Sequence, residues 1–95
     1  MVKYLENNNF DDEIKGKKIL IDFYADWCGP CRMMGSVLEN INDIEVLKVN
    51  VDNFPELSQK YGVMSIPNII LFENGKPLKN HVGFLNESEL KEFIK

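Results

Sequence analysis

Residues 19–25 are apolar on both faces of an extended strand, with Asp22 as the one exception. A strand with one face in water alternates apolar and polar residues, so this run predicts a central strand covered on both sides. Cys28-Gly29-Pro30-Cys31 follows directly and opens a helical pattern. Met34, Val37, Leu38 and Ile41 recur at i, i+3, i+4 and i+7, the apolar stripe of a helix that begins near Cys28. A strand of this central type therefore delivers two thiols to the start of a helix.

The remaining segments alternate in the same way. Residues 2–5 read as a short strand. Asn9 is placed to cap a short helix whose Phe10 and Ile14 share a face. Residues 44–51 are rich in β-branched side chains and read as a strand. Pro55 suits the first turn of a helix, with Leu57 and Tyr61 on one face and Gly62 at its C′ position. Residues 68–72 form a strand, and Asn74-Gly75 predicts a tight hairpin, because a type I′ turn needs positive φ at both central residues. Residues 78–82 return from it. Asn86 and Glu89 are spaced for a capping box, Leu85 can staple onto Leu90, and Leu90, Phe93 and Ile94 supply the last helix's buried stripe. The early strands, joined by helices, are expected to be parallel, and the hairpin pair antiparallel, giving a mixed α/β sheet of about five strands with about four helices.

Composition narrows the function classes. At 95 residues the chain is expected to form one domain, residues 1–95. Its net charge of −4 argues against nucleic acid as a partner. Lys15, Lys17 and Lys18 form the one basic cluster, which reads as a solvated turn. No apolar run approaches the roughly 20 residues of a membrane span, so no membrane association is expected. The first ten residues lack the basic-then-apolar order of a signal peptide, and a cytoplasmic location is expected. Two cysteines cannot build a scaffold of several disulfides, and in a reducing compartment a close pair is more often catalytic or metal-binding than structural.

The chemistry lies in where the pair sits. The thiolate is the attacking species in disulfide exchange. Unpaired N–H groups and the positive end of the dipole at a helix start stabilise an anion there. Cys28, nearer the strand, is expected to feel this most and to be the more exposed thiol. Cys31 lies within the first turn, where it can close a short disulfide ring. Pro30 pre-sets φ for that turn, and Gly29 leaves the approach to the sulfur open. The competing reading is half of a zinc site, which needs two further ligands. The remaining soft ligand is His81, far along the chain in a strand pattern, so no metal is expected. No phosphate-binding loop is present, so no cofactor is expected on the chain itself.

Ile21-Asp22-Phe23-Tyr24-Ala25-Asp26-Trp27-Cys28-Gly29-Pro30-Cys31 resembles the active-site segment of thioredoxins. Lys48-Val49-Asn50-Val51-Asp52 resembles the family's third strand. Tyr61-Gly62-Val63, then Ser65-Ile66-Pro67, resembles its cis-proline loop. Leu71-Phe72-Glu73-Asn74-Gly75 resembles its hairpin, and Val82-Gly83 the end of its last strand. The resemblance extends over essentially the whole chain, and these matches, in order, are far more specific than a bare CxxC.

The resemblance implies the thioredoxin fold, with the sheet between two helical layers, and a thiol–disulfide oxidoreductase that reduces disulfides in partner proteins. It implies that Cys28 attacks and Cys31 resolves the mixed disulfide. Asp22 would lie beneath Cys31 and help move its proton, with Lys48 nearby. Trp27, Gly29, Pro30, Ile66, Pro67 and Gly83 would form an apolar rim that grips extended segments of partners, with Pro67 cis and facing the cysteines. Electrons are expected from a separate flavin-containing thioredoxin reductase fed by NADPH or ferredoxin, and the chain is expected to act as a monomer. A thiol oxidase or isomerase of the same fold, and a binding module without turnover, are the alternatives. The chain departs from the common pattern at Ser36, which follows Gly35 and stands where many members carry a helix-kinking proline, and at Ser65, Asn68 and Tyr24. These departures bear on redox potential and partner choice.

Overall fold

The computed structural model describes every residue, Met1–Lys95. The elements run β1 (Val2–Tyr4), α1 (Phe10–Ile14), β2 (Lys18–Tyr24), α2 (Gly29–Glu39), β3 (Glu45–Asn50), α3 (Pro55–Lys60), β4 (Asn68–Glu73), β5 (Lys76–Val82) and α4 (Glu87–Phe93). The strands form one sheet in the order β1-β3-β2-β4-β5. β3 pairs in parallel with both β1 and β2, while β4 runs antiparallel to β2 and β5. β2 therefore occupies the centre, as its two apolar faces require.

Strand alternation sends its side chains into two separate cores. Leu20, Val46, Ile69 and Leu71 meet Met34 and Leu38 of α2 and Leu90 of α4 on one face. Ile19, Ile21, Phe23, Leu47, Val49, Ile70 and Phe72 meet Phe10 and Ile14 of α1, with Leu57 of α3, on the other. The result is three layers, with Asp22 and Lys48 on the α2 side among the apolar residues of the first set. No helix is long and apolar enough to cross a membrane.

Local signals mostly act as their chemistry dictates. Asn74 and Gly75 both take positive φ, +51° and +81°, and Gly62 just beyond α3 takes +68°. At α4 the Glu89 N–H donates to Asn86 Oδ1 at 2.8 Å, while the Asn86 N–H donates to Glu89 Oε1 at 2.9 Å. Asn9 departs from expectation: it occupies the cap position of α1 but makes no side-chain cap. Its amide instead donates to the Glu13 carboxylate at 3.3 Å, where Glu13 is already held by Lys3. β5 begins earlier than the pattern indicated. A register shift between Leu71 and Phe72, opposite Lys79 and Pro77, leaves Leu78 as an extra residue. Proline is tolerated there because β5 is an edge strand.

Candidate active site

Cys28 is the N-cap of α2, with extended backbone (φ −91°, ψ 112°). Pro30 sits in the first turn, where its missing N–H leaves nothing unsatisfied. Cys28 and Cys31 are joined as a disulfide, their Cα atoms 5.2 Å apart. The Cys31 N–H donates to Cys28 Sγ at 3.2 Å. A cap side chain normally supplies oxygen to such an N–H, and here sulfur takes that place. The same N–H and the positive end of the helix dipole lie where they would stabilise negative charge on the Cys28 sulfur.

The two cysteines open onto different surroundings. Cys28 lies in an apolar groove of about 560 Å³ lined by Trp27, Gly29, Pro30, Val51, Val63, Met64, Ser65 and Ile66. Its Sγ is 3.9 Å from the Ile66 carbonyl oxygen. Cys31 instead lines a polar hollow shared with Tyr4, Tyr24, Gly35 and Lys48. In area the residues differ little, Cys28 being 5% exposed and Cys31 2%. The asymmetry is one of neighbours rather than of exposure.

The expected rim residues divide. Trp27, Gly29, Pro30 and Ile66 line the groove. Trp27 is 70% exposed, and its indole N–H donates to Asp52 Oδ2 at 2.9 Å, which excludes a core role. The Ile66–Pro67 peptide bond is cis. Pro67 and Gly83 do not line the groove itself; the Gly83 N–H donates to the Pro67 carbonyl at 2.8 Å and ties the end of β5 to the loop. Gly83 has φ +102°, which a side chain would strain. Sequence reasoning missed Met64, 95% exposed on the groove wall, along with Val51 and Val63. The signal was an apolar residue within a loop bracketed by Gly62 and Pro67.

Beneath α2, Asp22 is fully buried. Lys48 Nζ approaches its Oδ2 at 3.2 Å, close enough for an ion pair. The contact is not aligned as a hydrogen bond, and both carboxylate oxygens are left without a hydrogen-bond partner. Burial pushes the Asp22 pKa above the ordinary carboxylate range, and the Lys48 charge opposes this less strongly. Burial also raises the Tyr24 phenol, with the neighbouring Asp26 and Tyr4 adding to the effect. A carboxylate shifted in this direction keeps its proton to higher pH than an exposed one, the direction of tuning an acid–base group requires. No group of three or more His, Cys, Asp or Glu side chains is arranged to hold a metal ion.

Comparison with known proteins agrees with this geometry. The family model described as Thioredoxin matches residues 1–95. A thioredoxin of Alicyclobacillus acidocaldarius is 44% identical over 93 residues, covering 92% of this chain and 89% of the relative. A thioredoxin of Chlamydia trachomatis is 40% identical over 98 residues, covering 99% of this chain and 96% of its own. Among solved structures, a mutant thioredoxin from Halobacterium salinarum superposes with a TM-score of 0.89 at 37% identity, over 98% of this chain and 87% of that one. Malassezia sympodialis thioredoxin gives 0.84 at 32% identity, over 99% and 88%. With its two cysteines joined at the head of α2, this chain belongs to the thioredoxin family and is a thiol–disulfide oxidoreductase that reduces protein disulfides.

Proposed function

We propose that Cys28 is the nucleophile and Cys31 the resolving thiol, with Asp22 and Lys48 governing the proton of the second step. The observation that carries this reading is the Cys28 sulfur at the start of α2, contacted by the Cys31 N–H and open to the apolar groove. In the first step the Cys28 thiolate attacks one sulfur of a partner's disulfide. The partner's S–S bond breaks, a mixed disulfide forms, and the other partner sulfur leaves as a thiolate. In the second step Cys31 gives its proton to Asp22 and its thiolate attacks Cys28 Sγ. The mixed disulfide breaks, the second partner thiolate leaves, and Cys28–Cys31 closes. Two electrons have passed from the cysteine pair to the partner, and the released thiolates take up protons.

Lys48 and Cys31 line the same hollow, and Lys48 touches Asp22, which supports the proton assignment. Trp27, Gly29, Pro30 and Ile66 form the floor and walls for an extended partner segment, with Met64 added to them and Pro67 and Gly83 at its end. An extended segment there can pair its backbone with the chain beside Pro67. Electrons return from a separate flavin-containing thioredoxin reductase, and the clients are disulfide-containing proteins. Family membership supports a cytoplasmic monomer acting as a single domain, residues 1–95. The test is trapping. Cys31→Ser is expected to accumulate mixed disulfides with partner proteins, because the resolving step is lost. Cys28→Ser is expected to accumulate none, and equal accumulation by both would overturn the division of roles.

A further inference from the structure

Tyr4, Lys48 and Asp22 lie side by side on one rung of the sheet. Tyr4 is the register partner of Lys48 across β1 and β3, and Lys48 is the register partner of Asp22 across β3 and β2. Tyr24 stands two residues further along β2, on the same face as Asp22. The Lys48 ammonium lies 4.5 Å from the Tyr24 ring centroid and 5.7 Å from that of Tyr4. The rings meet edge to face, their centroids 6.1 Å apart. From above, α2 closes the space at Gly35, where an added Cβ would come within 3.2 Å of Nζ. The ammonium is thus bounded by a carboxylate, two aromatic faces and a helix backbone.

We propose that Tyr24 and Tyr4 are positioning residues whose ring faces hold the Lys48 ammonium against Asp22 and so set the proton affinity of that carboxyl. The consequence for turnover rests on the reading of Asp22 as the acceptor of the Cys31 proton; the clamp itself does not. A lysine side chain is long and flexible, and it keeps a single position when its neighbours enforce one. Two other carboxylates, Asp26 and Glu39, line the mouth of the same hollow, together with the Arg32 guanidinium. Arg32 is engaged with the Asp26 carbonyl oxygen at 3.0 Å. Facing Asp22 and Lys48, then, are Tyr4 from β1, Tyr24 from β2, Asp26 from the turn that follows it, and Cys31, Arg32 and Glu39 from α2. Without the rings, Lys48 is free to swing outward toward Asp26 or Glu39. Asp22 would lose the one charge that opposes its desolvation and bind its proton more tightly.

The experiment follows the Asp22 carboxyl by carbon-13 NMR across pH, beside the pH profile of protein-disulfide reduction. Tyr24→Leu is expected to raise the Asp22 proton affinity roughly two- to tenfold, the worth of a partly desolvated cation–π contact. Tyr4→Leu, at the exposed sheet edge, moves it the same way by less and provides the reading should Tyr24→Leu not fold. Tyr24→Phe keeps the ring face and leaves the midpoint in place. In a Lys48→Met background Tyr24→Leu has no effect on it, because no ammonium remains to be released. A midpoint that stays or falls in Tyr24→Leu, moves equally in Tyr24→Phe, or still rises in the Lys48→Met background overturns the clamp. A midpoint that moves while the rate profile does not upholds the clamp and removes Asp22 from the proton step.

Discussion

Replacing Asp22 with alanine is expected to make the oxidised protein more stable at neutral pH. The carboxylate is fully buried and neither oxygen has a hydrogen-bond partner. A buried polar group left unsatisfied costs about 1–3 kcal/mol, and more when charged. Lys48 at 3.2 Å returns part of this, yet burial outweighs it and the folded pKa is raised. The net gain from removing the side chain is therefore on the order of 1–3 kcal/mol, and Tm rises by about 4–8 °C for each kcal/mol in a domain of this size. The pH dependence has a definite sign. Below the unfolded pKa of about 3.9 the group is protonated in both states, and its ionisation contributes nothing. As pH rises further the unfolded chain ionises while the folded protein keeps its proton, so wild-type stability falls. The fall ends once pH passes the folded pKa. The alanine variant escapes this loss, so its advantage is small in acid and largest at neutral and alkaline pH. Urea unfolding of both proteins with the disulfide intact, between pH 3.5 and 9, measures the difference. A variant less stable than wild type at pH 7, or one whose advantage does not shrink in acid, refutes the reasoning and makes Asp22–Lys48 an ordinary structural ion pair.

Two further outcomes separate fold from site. Asn86→Ala removes the Asn86 half of the capping box and is expected to cost about 1 kcal/mol in urea unfolding, with the rate of disulfide reduction unchanged. Trp27→Ala removes an exposed groove wall whose one anchor is the Asp52 carboxylate. It is expected to lower kcat/KM for a protein disulfide while reduction of a small aromatic disulfide reagent changes little, which steady-state assays on the two substrates compare.

Much of the fold was legible because the decisive signals are local. The two-faced apolar run around Asp22 needs no partner to announce a central strand, and Asn74-Gly75 and Asn86…Glu89 carry their geometry within a few residues. Asn9 shows the limit of such signals: its identity suits a cap, but its amide goes to a Glu13 that Lys3 has already oriented. The pairing of Leu71 and Phe72 with Lys79 and Pro77 was equally hidden, since a bulge is a property of two strands together. At the site, Cys28 and Cys31 announce themselves by spacing. Lys48 does not, because a lone lysine in a strand reads as a solvated side chain until the register with Asp22 is known. Tyr4 was less visible still, as its place beside Lys48 depends on a parallel pairing between segments far apart in the chain. Met64 became a groove residue when the loop carrying Pro67 folded back beside Trp27.

The division of labour between the cysteines is tested most directly by alkylating the fully reduced protein with a limiting amount of iodoacetamide at neutral pH and mapping the label by mass spectrometry. Cys28, whose sulfur receives the Cys31 N–H at the start of α2, is expected to be labelled well before Cys31. Preferential labelling of Cys31, or equal labelling of the two, would contradict the account.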